Sequence, residues 1–326
     1  MKRFLTPLIL LVFAISILVS GVIWWQGTTG ASSMDSSKSR FLITKGMTAG
    51  EIAVELENAG LVKSELVFRI YVQVTGVSKS IPSGEYDIPK NLRLSEVVNV
   101  LLAGPSEVWV TIAEGLRREE IAEKVVSALN ISTAESATFR AKFLEHSADL
   151  EGFLFPDTYL FPKDVDAQKV IQKLVDVFNQ KVGETTIKQV ILASLIERET
   201  KGNQEKPIVA GIILKRLTAG WPLQIDAAVQ YAVAADRCLP SPVDCSNWWP
   251  VVTKTDLEVD SPYNTYKYQG LPPTPISNPG LASIKAAKAP EESMYWYYIH
   301  DDTGQIHYAA TLEEHNSNIR KYLGKS

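Results

Sequence analysis

An uncharged apolar run near the N-terminus is the feature that most constrains how this chain can fold. Residues 4–25, FLTPLILLVFAISILVSGVIWW, form 22 consecutive positions without a charged side chain. As a helix the run would be about 33 Å long, which matches the hydrocarbon core of a bilayer at about 30 Å. Lys2 and Arg3 precede the run, so the positive-inside rule predicts that residues 1–3 are cytoplasmic. The sequence therefore predicts a single-pass transmembrane anchor in the cytoplasmic (inner) membrane, with the rest of the chain on the extracytoplasmic side.

A cleaved signal peptide is the alternative interpretation of this run. Small residues do occur within it, at Ser20 and Gly21. The apolar part of a signal peptide usually has about 7–15 residues, however, and no clear A-x-A cleavage site follows this longer run. These observations favour an anchor that is retained.

The composition of the chain excludes one class of function. The 326 residues are 45% hydrophobic and 21% charged, which is typical of globular domains. The net charge is −4, and because Lys2 and Arg3 contribute +2, the rest of the chain carries −6. Proteins that bind nucleic acid need clustered Lys and Arg side chains to contact phosphates. The acidic remainder therefore predicts no nucleic-acid partner.

Turn residues and apolar periodicity divide the remainder into a linker and two domains. Residues 26–39 are rich in Gly, Ser and Thr, a composition typical of flexible linkers. Residues 40–105 follow the order strand, helix, helix, strand, helix and end at a Gly-Pro pair. Residues 106–326 combine helical patterns with stretches rich in proline and aromatic residues. The prediction is an α+β protein with a small βααβ domain at 40–105 and a larger mixed α+β domain at 106–326.

One predicted helix, QVILASLIERETKG, carries two carboxylates among apolar residues. Glu197 and Glu199 are two positions apart, so their side chains point about 200° away from each other and cannot flank one bond. Burial on such a helix raises a carboxyl pKa, which is what a general acid requires. The alternative is that both glutamates form structural ion pairs, and the nearby candidate cations are Arg198, Lys201 and Arg216.

Other recognised site patterns are absent from the sequence. It contains no G-x-S-x-G, P-loop, G-x-G-x-x-G or H-E-x-x-H motif. His300, His307 and His315 are spaced 7 and 8 apart, which matches no metal template, so we expect neither metal nor cofactor. The only two cysteines, Cys238 and Cys245, lie seven apart in a loop-like stretch. They predict a local disulfide in an oxidising compartment, with two free thiols as the alternative.

The region from Trp221 to Gly280 is dense in side chains that suit carbohydrate. Sugars have apolar ring faces and polar rims, so their binding sites combine aromatic rings with amide, hydroxyl and carboxylate groups. Such residues are also common in ordinary turns. The candidates are Gln224, Asp226, Tyr231, Tyr263, Asn264, Thr265, Tyr266 and Gln269.

Five motifs together resemble one known family. They are EGFLFPDTY at 151–159, ASLIERET at 193–200, RLTAGWPLQIDAAVQY at 216–231, SPYNTYKYQGLPPTPISNPG at 261–280 and EHN at 314–316. In combination they resemble the MltG-type (YceG-like) endolytic murein transglycosylases. The first segment of that family is similar to a LysM module, which fits the order predicted for 40–105. The sequence departs from the family pattern at Ala227 and Thr274, which affects loop geometry only.

The resemblance implies a function and a set of site residues. It implies cleavage of the MurNAc–GlcNAc β-1,4 bond of peptidoglycan by one glutamate, without water, to leave 1,6-anhydroMurNAc ends. Glu197 would be the catalytic acid/base and Glu199 a supporting residue. The glycan groove would be lined by Gln224, Asp226, Tyr263, Asn264, Thr265 and Tyr266. Expected partners are nascent glycan strands, the membrane and, through it, wall-synthesis enzymes.

Two other functions remain open at this point. The first is a muramidase-like hydrolase, which requires a second carboxylate. Asp226 would supply that carboxylate from another segment of the chain. A non-enzymatic peptidoglycan-binding anchor would need only the LysM-like region.

Overall fold

A computed structural model describes residues 2–238 and 247–324, with side chains described from residue 15 onward. Within those ranges the chain forms twelve α-helices, a 3₁₀ helix at Asp256–Glu258 and six strands, so the predicted mixed α+β class is confirmed. The chain divides into two compact units. The first unit comprises Met1–Trp109 and Leu160–Asp164, and the second comprises Val110–Tyr159 and Val165–Ser326.

The chain begins with helix α1, Lys2–Thr29. The predicted membrane span, residues 4–25, lies partly outside the residues whose side chains are described. Among the residues that are described, none of the helices has the length and apolar character needed to cross a bilayer.

The segment predicted as a linker, residues 26–39, makes several contacts within the first unit. Lys63 donates a hydrogen bond to the carbonyl of Gly27 at 2.9 Å, and Ser32 donates to the carbonyl of Gly60. These contacts join residues that are far apart in sequence. The composition of residues 26–39, rich in small polar residues, could not predict them.

The first unit has the order of elements predicted from the sequence. After α1 come β1 (Lys38–Ile43), α2 (Ala49–Asn58), α3 (Glu65–Val74), β2 (Gly84–Pro89) and α4 (Leu94–Ala103). β1 and β2 pair antiparallel, with Phe41 opposite Tyr86. Apolar faces of the strands and helices form one core. The β–α–α–β order is thus present, while its likeness to LysM stays a prediction.

A four-stranded sheet has the order β1-β2-β3-β4, where β3 is Glu107–Thr111 and β4 is Thr158–Pro162. β3 pairs antiparallel with β2. The predicted division at residues 105 and 106 did not include the return of Leu160–Asp164 to the first unit. That return depends on pairing between distant segments, which local periodicity does not encode.

Most of the second unit is helical and is built around one buried helix. Its helices are α5 (Arg118–Leu129), α6 (Thr133–His146), α7 (Ala167–Val182), α8 (Ile187–Glu199), α9 (Lys206–Thr218), α10 (Asp226–Cys238), α11 (Leu281–Lys288) and α12 (Leu312–Leu323). A hairpin of β5 (Tyr297–His300) and β6 (Ile306–Ala309) precedes α12. Seven consecutive residues of α8, 190–196, are buried, because α8 packs against α9, α10 and α11. A helix that is apolar on all sides belongs in a core.

The predicted disulfide joins Cys238 to Cys245. Cys238 is buried beside Ala234 and Trp248. Cys245 lies outside the described residues, so the Cys238–Cys245 pairing stays a prediction.

Candidate active site

The C-terminal turn of α8 carries both glutamates of the IERE segment. The helix is capped at its start by Thr186, whose side chain accepts from the backbone of Gln189. It ends at Glu199, and Thr200 is extended. The two carboxyl groups therefore leave the buried helix on different sides, as helical geometry predicts.

The carboxylate of Glu197 is enclosed by hydrogen-bond donors. Its Oε1 accepts from Nζ of Lys206 at 3.0 Å. Its Oε2 accepts from the backbone N–H of Gly280 at 2.9 Å and from the hydroxyl of Ser283 at 2.7 Å. Lys206 also donates to Ser283 at 2.7 Å. Exposure of the side chain is 9% for Glu197 and 4% for Lys206, so this is a nearly buried ion pair.

Gly280 is the N-cap of α11, so the charge of Glu197 lies at the positive end of that helix. Glu114 approaches the same glycine closely enough that a Cβ there would overlap its carboxyl group. Burial, followed by the charge of Glu197, raises the pKa of Glu114. The Glu197 cluster therefore joins α8, α9 and α11.

Two of the three cations considered from the sequence, Arg198 and Arg216, form other contacts. Arg198 lies 3.7 Å from the ring centre of Trp249 and donates to the carbonyl of Gly115 at 3.4 Å. Arg216 donates to the carbonyls of Trp296 and Leu223. The partner of Glu197 is Lys206, which the local sequence did not indicate because it lies on the next helix.

Glu199 has a different environment, at the wall of a cavity of about 390 Å³. Its Oε2 accepts from the hydroxyl of Tyr298 at 2.7 Å. Burial raises the pKa of Glu199, the Tyr298 hydrogen bond opposes this, and the charge of Asp226 adds to the rise. Side chains that share this cavity include Arg216, Gln224, Asp226, Tyr266, Tyr297 and His315.

Three predicted groove residues thus lie in the cavity with Glu199. Gln224 has a left-handed backbone, with φ of 53°, and its N–H donates to the carbonyl of Thr265 at 3.1 Å. Asp226 begins α10 and accepts from the hydroxyl of Tyr266 at 2.6 Å. Burial and this hydrogen bond raise the pKa of Tyr266. Gln224, Asp226 and Tyr266 therefore form a polar wall with fixed geometry.

The other three predicted groove residues are not part of that wall. Asn264 is fully buried and donates to the carbonyls of Leu257 and Val259, each at 2.9 Å. Thr265 is also buried, and its hydroxyl accepts from the N–H of Ile225 at 2.9 Å. Asn264 and Thr265 thus fix the loop that carries Tyr266.

Tyr263 contacts a different set of residues. Its hydroxyl is 2.7 Å from that of Thr274, and its ring centre is 4.9 Å from that of Tyr231. It therefore fixes the proline-rich loop at 271–275 rather than the Glu199 cavity.

Comparison with known protein families and solved structures gives the family of this chain. The YceG-like family matches residues 41–321, most of the chain. The chain belongs to the YceG-like family. A YceG-like protein of Listeria monocytogenes, known from a 2.6 Å crystal structure, has the same fold with a TM-score of 0.57 and 27% identity. That match covers 86% of this chain and 98% of the Listeria chain.

Two relatives of this YceG-like chain carry the name endolytic murein transglycosylase. The protein from Bacillus subtilis is 29% identical over 314 residues, which cover 86% of this chain and 84% of the relative. The protein from Streptococcus pneumoniae (strain D39) is 26% identical over 366 residues, covering 96% of this chain. The match spans 64% of the length of that streptococcal relative.

One asparagine of the YceG-like chain holds together segments that sequence reasoning treated separately. Oδ1 of Asn278 accepts from the backbone N–H groups of Gly152 and Leu154, both at 2.9 Å. Its Nδ2 donates to Glu151 at 2.7 Å and to the carbonyl of Leu116 at 3.0 Å. The motif EGFLFPDTY thus supports the scaffold of the site and does not line the Glu199 cavity.

Sequence analysis did not assign four polar side chains to this cavity, although they line it: Arg216, Tyr297, Tyr298 and His315. His315 was considered as a metal ligand and within the EHN motif, and Arg216 as an ion-pair partner. The EHN motif was a signal for His315, and the position of Arg216 at the start of RLTAGWPLQID was a signal for Arg216.

Proposed function

We propose that this protein is an endolytic murein transglycosylase that cuts the glycan strands of peptidoglycan at the MurNAc–GlcNAc β-1,4 bond. Its membership of the YceG-like family and the names of its relatives support this reaction class. The single observation that carries the assignment within the chain is a carboxyl group, Glu199, with a raised pKa at the wall of a polar cavity.

Glu199 is the acid/base of this proposal. A general acid must hold its proton near neutral pH, and burial favours the protonated form of Glu199. The protonated carboxyl gives its proton to the glycosidic oxygen as the bond from that oxygen to C1 of MurNAc breaks. The resulting carboxylate takes the proton of the C6 hydroxyl, and O6 bonds to C1. The glutamate regains its proton, no water is consumed, and a 1,6-anhydro ring forms.

Glu197, which the family resemblance favoured, lies in a different environment. Both of its oxygens are occupied by donors, which are the ammonium group of Lys206, the backbone N–H of Gly280 and the hydroxyl of Ser283. We assign it a positioning role, in which it holds the end of α8 against α9 and α11. This keeps Glu199 aimed into its cavity.

The polar wall opposite Glu199 suits a sugar rim. Gln224 offers amide groups, while Asp226 and Tyr266 form a hydrogen-bonded pair. Asp226 is also the residue that a muramidase-like hydrolase would use as its second carboxylate. The two reactions leave different ends, so products separate them.

The deciding experiment compares wild type, Glu199→Gln and Glu197→Gln on purified glycan strands, with mass spectrometry of the products. Wild type is expected to give 1,6-anhydro ends, and Glu199→Gln to lose about 10²–10⁴-fold in turnover while still binding strands. Folded Glu197→Gln should retain more turnover than Glu199→Gln. The reverse order would return the acid/base role to Glu197. Reducing ends from wild type would establish a hydrolase instead.

Strand binding by a wild type without turnover would support the non-enzymatic anchor, with the LysM-like region at 40–105 as its binding module. In either case the apolar run at residues 4–25 supports anchoring in the cytoplasmic membrane, near wall-synthesis enzymes. Fractionation of cells tests this: the chain should pellet with membranes and be released by detergent but not by salt.

A further inference from the structure

A group of three aromatic rings, one of them exposed, adjoins the Glu199 cavity and has no role in the proposed reaction. Trp221 is 41% exposed, and its ring centre lies 4.6 Å from that of Trp296 and 6.3 Å from that of Tyr297. Trp296 and Tyr297 are half-buried. We call Trp221, Trp296 and Tyr297 the aromatic patch.

The aromatic patch is held in place by one arginine. Arg216 donates from Nε to the carbonyl of Trp296 and from a terminal nitrogen to the carbonyl of Leu223, both at 2.8 Å. Its guanidinium lies 5.3 Å from the ring centre of Tyr297. The backbone N–H of Trp221 donates to the carbonyl of Arg216 at 2.9 Å. Rings fixed in this way lose little conformational entropy when a ligand binds.

Residues of the aromatic patch border two cavities. Tyr297 lines the cavity of Glu199, and Gln224, three residues after Trp221, lines it as well. Trp296 lines a second cavity of about 560 Å³, with Leu214, Lys215 and Pro290. An enzyme that cuts inside a polymer must hold sugar units beyond the two that flank the broken bond. A surface that leaves the catalytic cavity and continues past flat rings meets that requirement.

A polar group beside the aromatic patch also points to a ligand. The ring of His315 stacks on Tyr297, with centres 5.0 Å apart and an angle of 25°. In the part of the chain that is described, Nδ1 of His315 is buried and has no hydrogen-bond partner. Buried polar atoms usually have a partner, and a sugar hydroxyl or N-acetyl group would provide one.

We propose that the aromatic patch is a glycan subsite next to the catalytic cavity, where the exposed ring of Trp221 stacks on the apolar face of a sugar ring and Trp296 and Tyr297 hold that ring in place. The proposal rests on the proposed function for its substrate class. Its occupant is a sugar unit of the same strand that is cut at Glu199, because the patch and the cavity share Tyr297.

The test uses the full chain with Trp221→Ala, Trp221→Phe and, as a matched control, Trp109→Ala. Trp109 is 39% exposed and belongs to the first unit. On long glycan strands we expect Trp221→Ala to raise KM about two- to tenfold, with kcat within about twofold of wild type. Trp221→Phe keeps a flat ring and should recover most of the loss. On the shortest strand that is still cut, the three variants should equal wild type.

A second measurement separates this subsite from the chemistry. The Glu199→Gln protein, with and without Trp221→Ala, is titrated with long strands, and the added change should weaken binding by the same factor as the rise in KM. Such a loss supports the subsite even if the wild-type products are those of a hydrolase. Unchanged KM and unchanged binding for folded Trp221→Ala would overturn the proposal, as would an equal loss for Trp109→Ala.

Discussion

The carboxylate of Glu197 lies 3.0 Å from the ammonium group of Lys206, and both side chains are almost completely buried. An ion pair of this kind is sensitive to loss of one partner, because the other charge is then left without compensation in a medium of low dielectric constant. Substitutions in this pair therefore test whether the ion pair stabilises the C-terminal end of α8.

Lys206→Met is expected to reduce the free energy of unfolding by about 3–5 kcal/mol, since it leaves Glu197 buried and unpaired. The double variant Glu197→Gln with Lys206→Met should lose clearly less, because neither charge remains. Urea unfolding of the three proteins measures the difference. Equal losses for the single and double variants would contradict a buried ion pair.

Two neighbours of Glu199 should shift its pKa in opposite directions. The Tyr298 hydrogen bond lowers the pKa of Glu199, and the charge of Asp226 raises it. Cleavage needs the protonated acid, so kcat/KM should fall as pH rises through this pKa. Tyr298→Phe should shift that descending limb to higher pH, and Asp226→Asn to lower pH. A pH–rate profile of each variant measures the shift. A limb that stays in place in both would show that another group controls it.

Glu151 should make stability decrease toward alkaline pH. Burial, with the nearby charge of Glu119, raises the pKa of Glu151 from 4.5 to about 8. The folded state therefore binds this proton more tightly than the unfolded state. Stability contributed by the neutral carboxyl is fully present below pH 4.5 and is lost between there and about 8, with a slope of at most about 1.4 kcal/mol per pH unit.

Glu151→Gln stays neutral and should remove that slope. Thermal unfolding across this pH range, for wild type and variant, makes the comparison. Parallel curves for the two proteins would contradict the raised pKa of Glu151.

Replacing each of two helical glycines by alanine should change the stability of the protein in opposite directions. A Cβ at Gly211 in α9 would overlap the backbone carbonyl of Glu291, so Gly211→Ala should cost about 1–3 kcal/mol. At Gly50 in α2 the nearest atom to a Cβ is 3.7 Å away, an ordinary contact. Gly50→Ala should therefore stabilise the protein by about 0.5–1 kcal/mol. Melting temperatures report both changes, and a stable Gly211→Ala protein would show that the loop at Glu291 can move.

The sequence predicted features that depend on neighbouring residues. The order strand, helix, helix, strand, helix for residues 40–105 was predicted from local patterns, and that order is present. The 200° between Glu197 and Glu199 also follows from helical geometry alone.

The surroundings of Glu197 and Glu199 could not be predicted in the same way. The helix α8 is buried on all sides around residues 190–196, so its apolar pattern gives no direction for the cavity. The partners that distinguish Glu197 from Glu199 come from Lys206, Ser283 and Tyr298, which follow on later elements. Pairings of that kind depend on tertiary packing, which periodicity does not encode.

The four side-chain hydrogen bonds of Asn278 set an order of events during biosynthesis. They join the backbone near residue 116 to the segment at 151–154 through a side chain made more than 120 residues later. The Glu199 cavity needs still later residues, Tyr297 and His315. A nascent chain that has emerged only as far as α10 thus holds both glutamates without the walls that would orient a strand. Under the proposed assignment of Glu199, the ability to cut is acquired only near the end of translation, when the C-terminal hairpin and helix have folded.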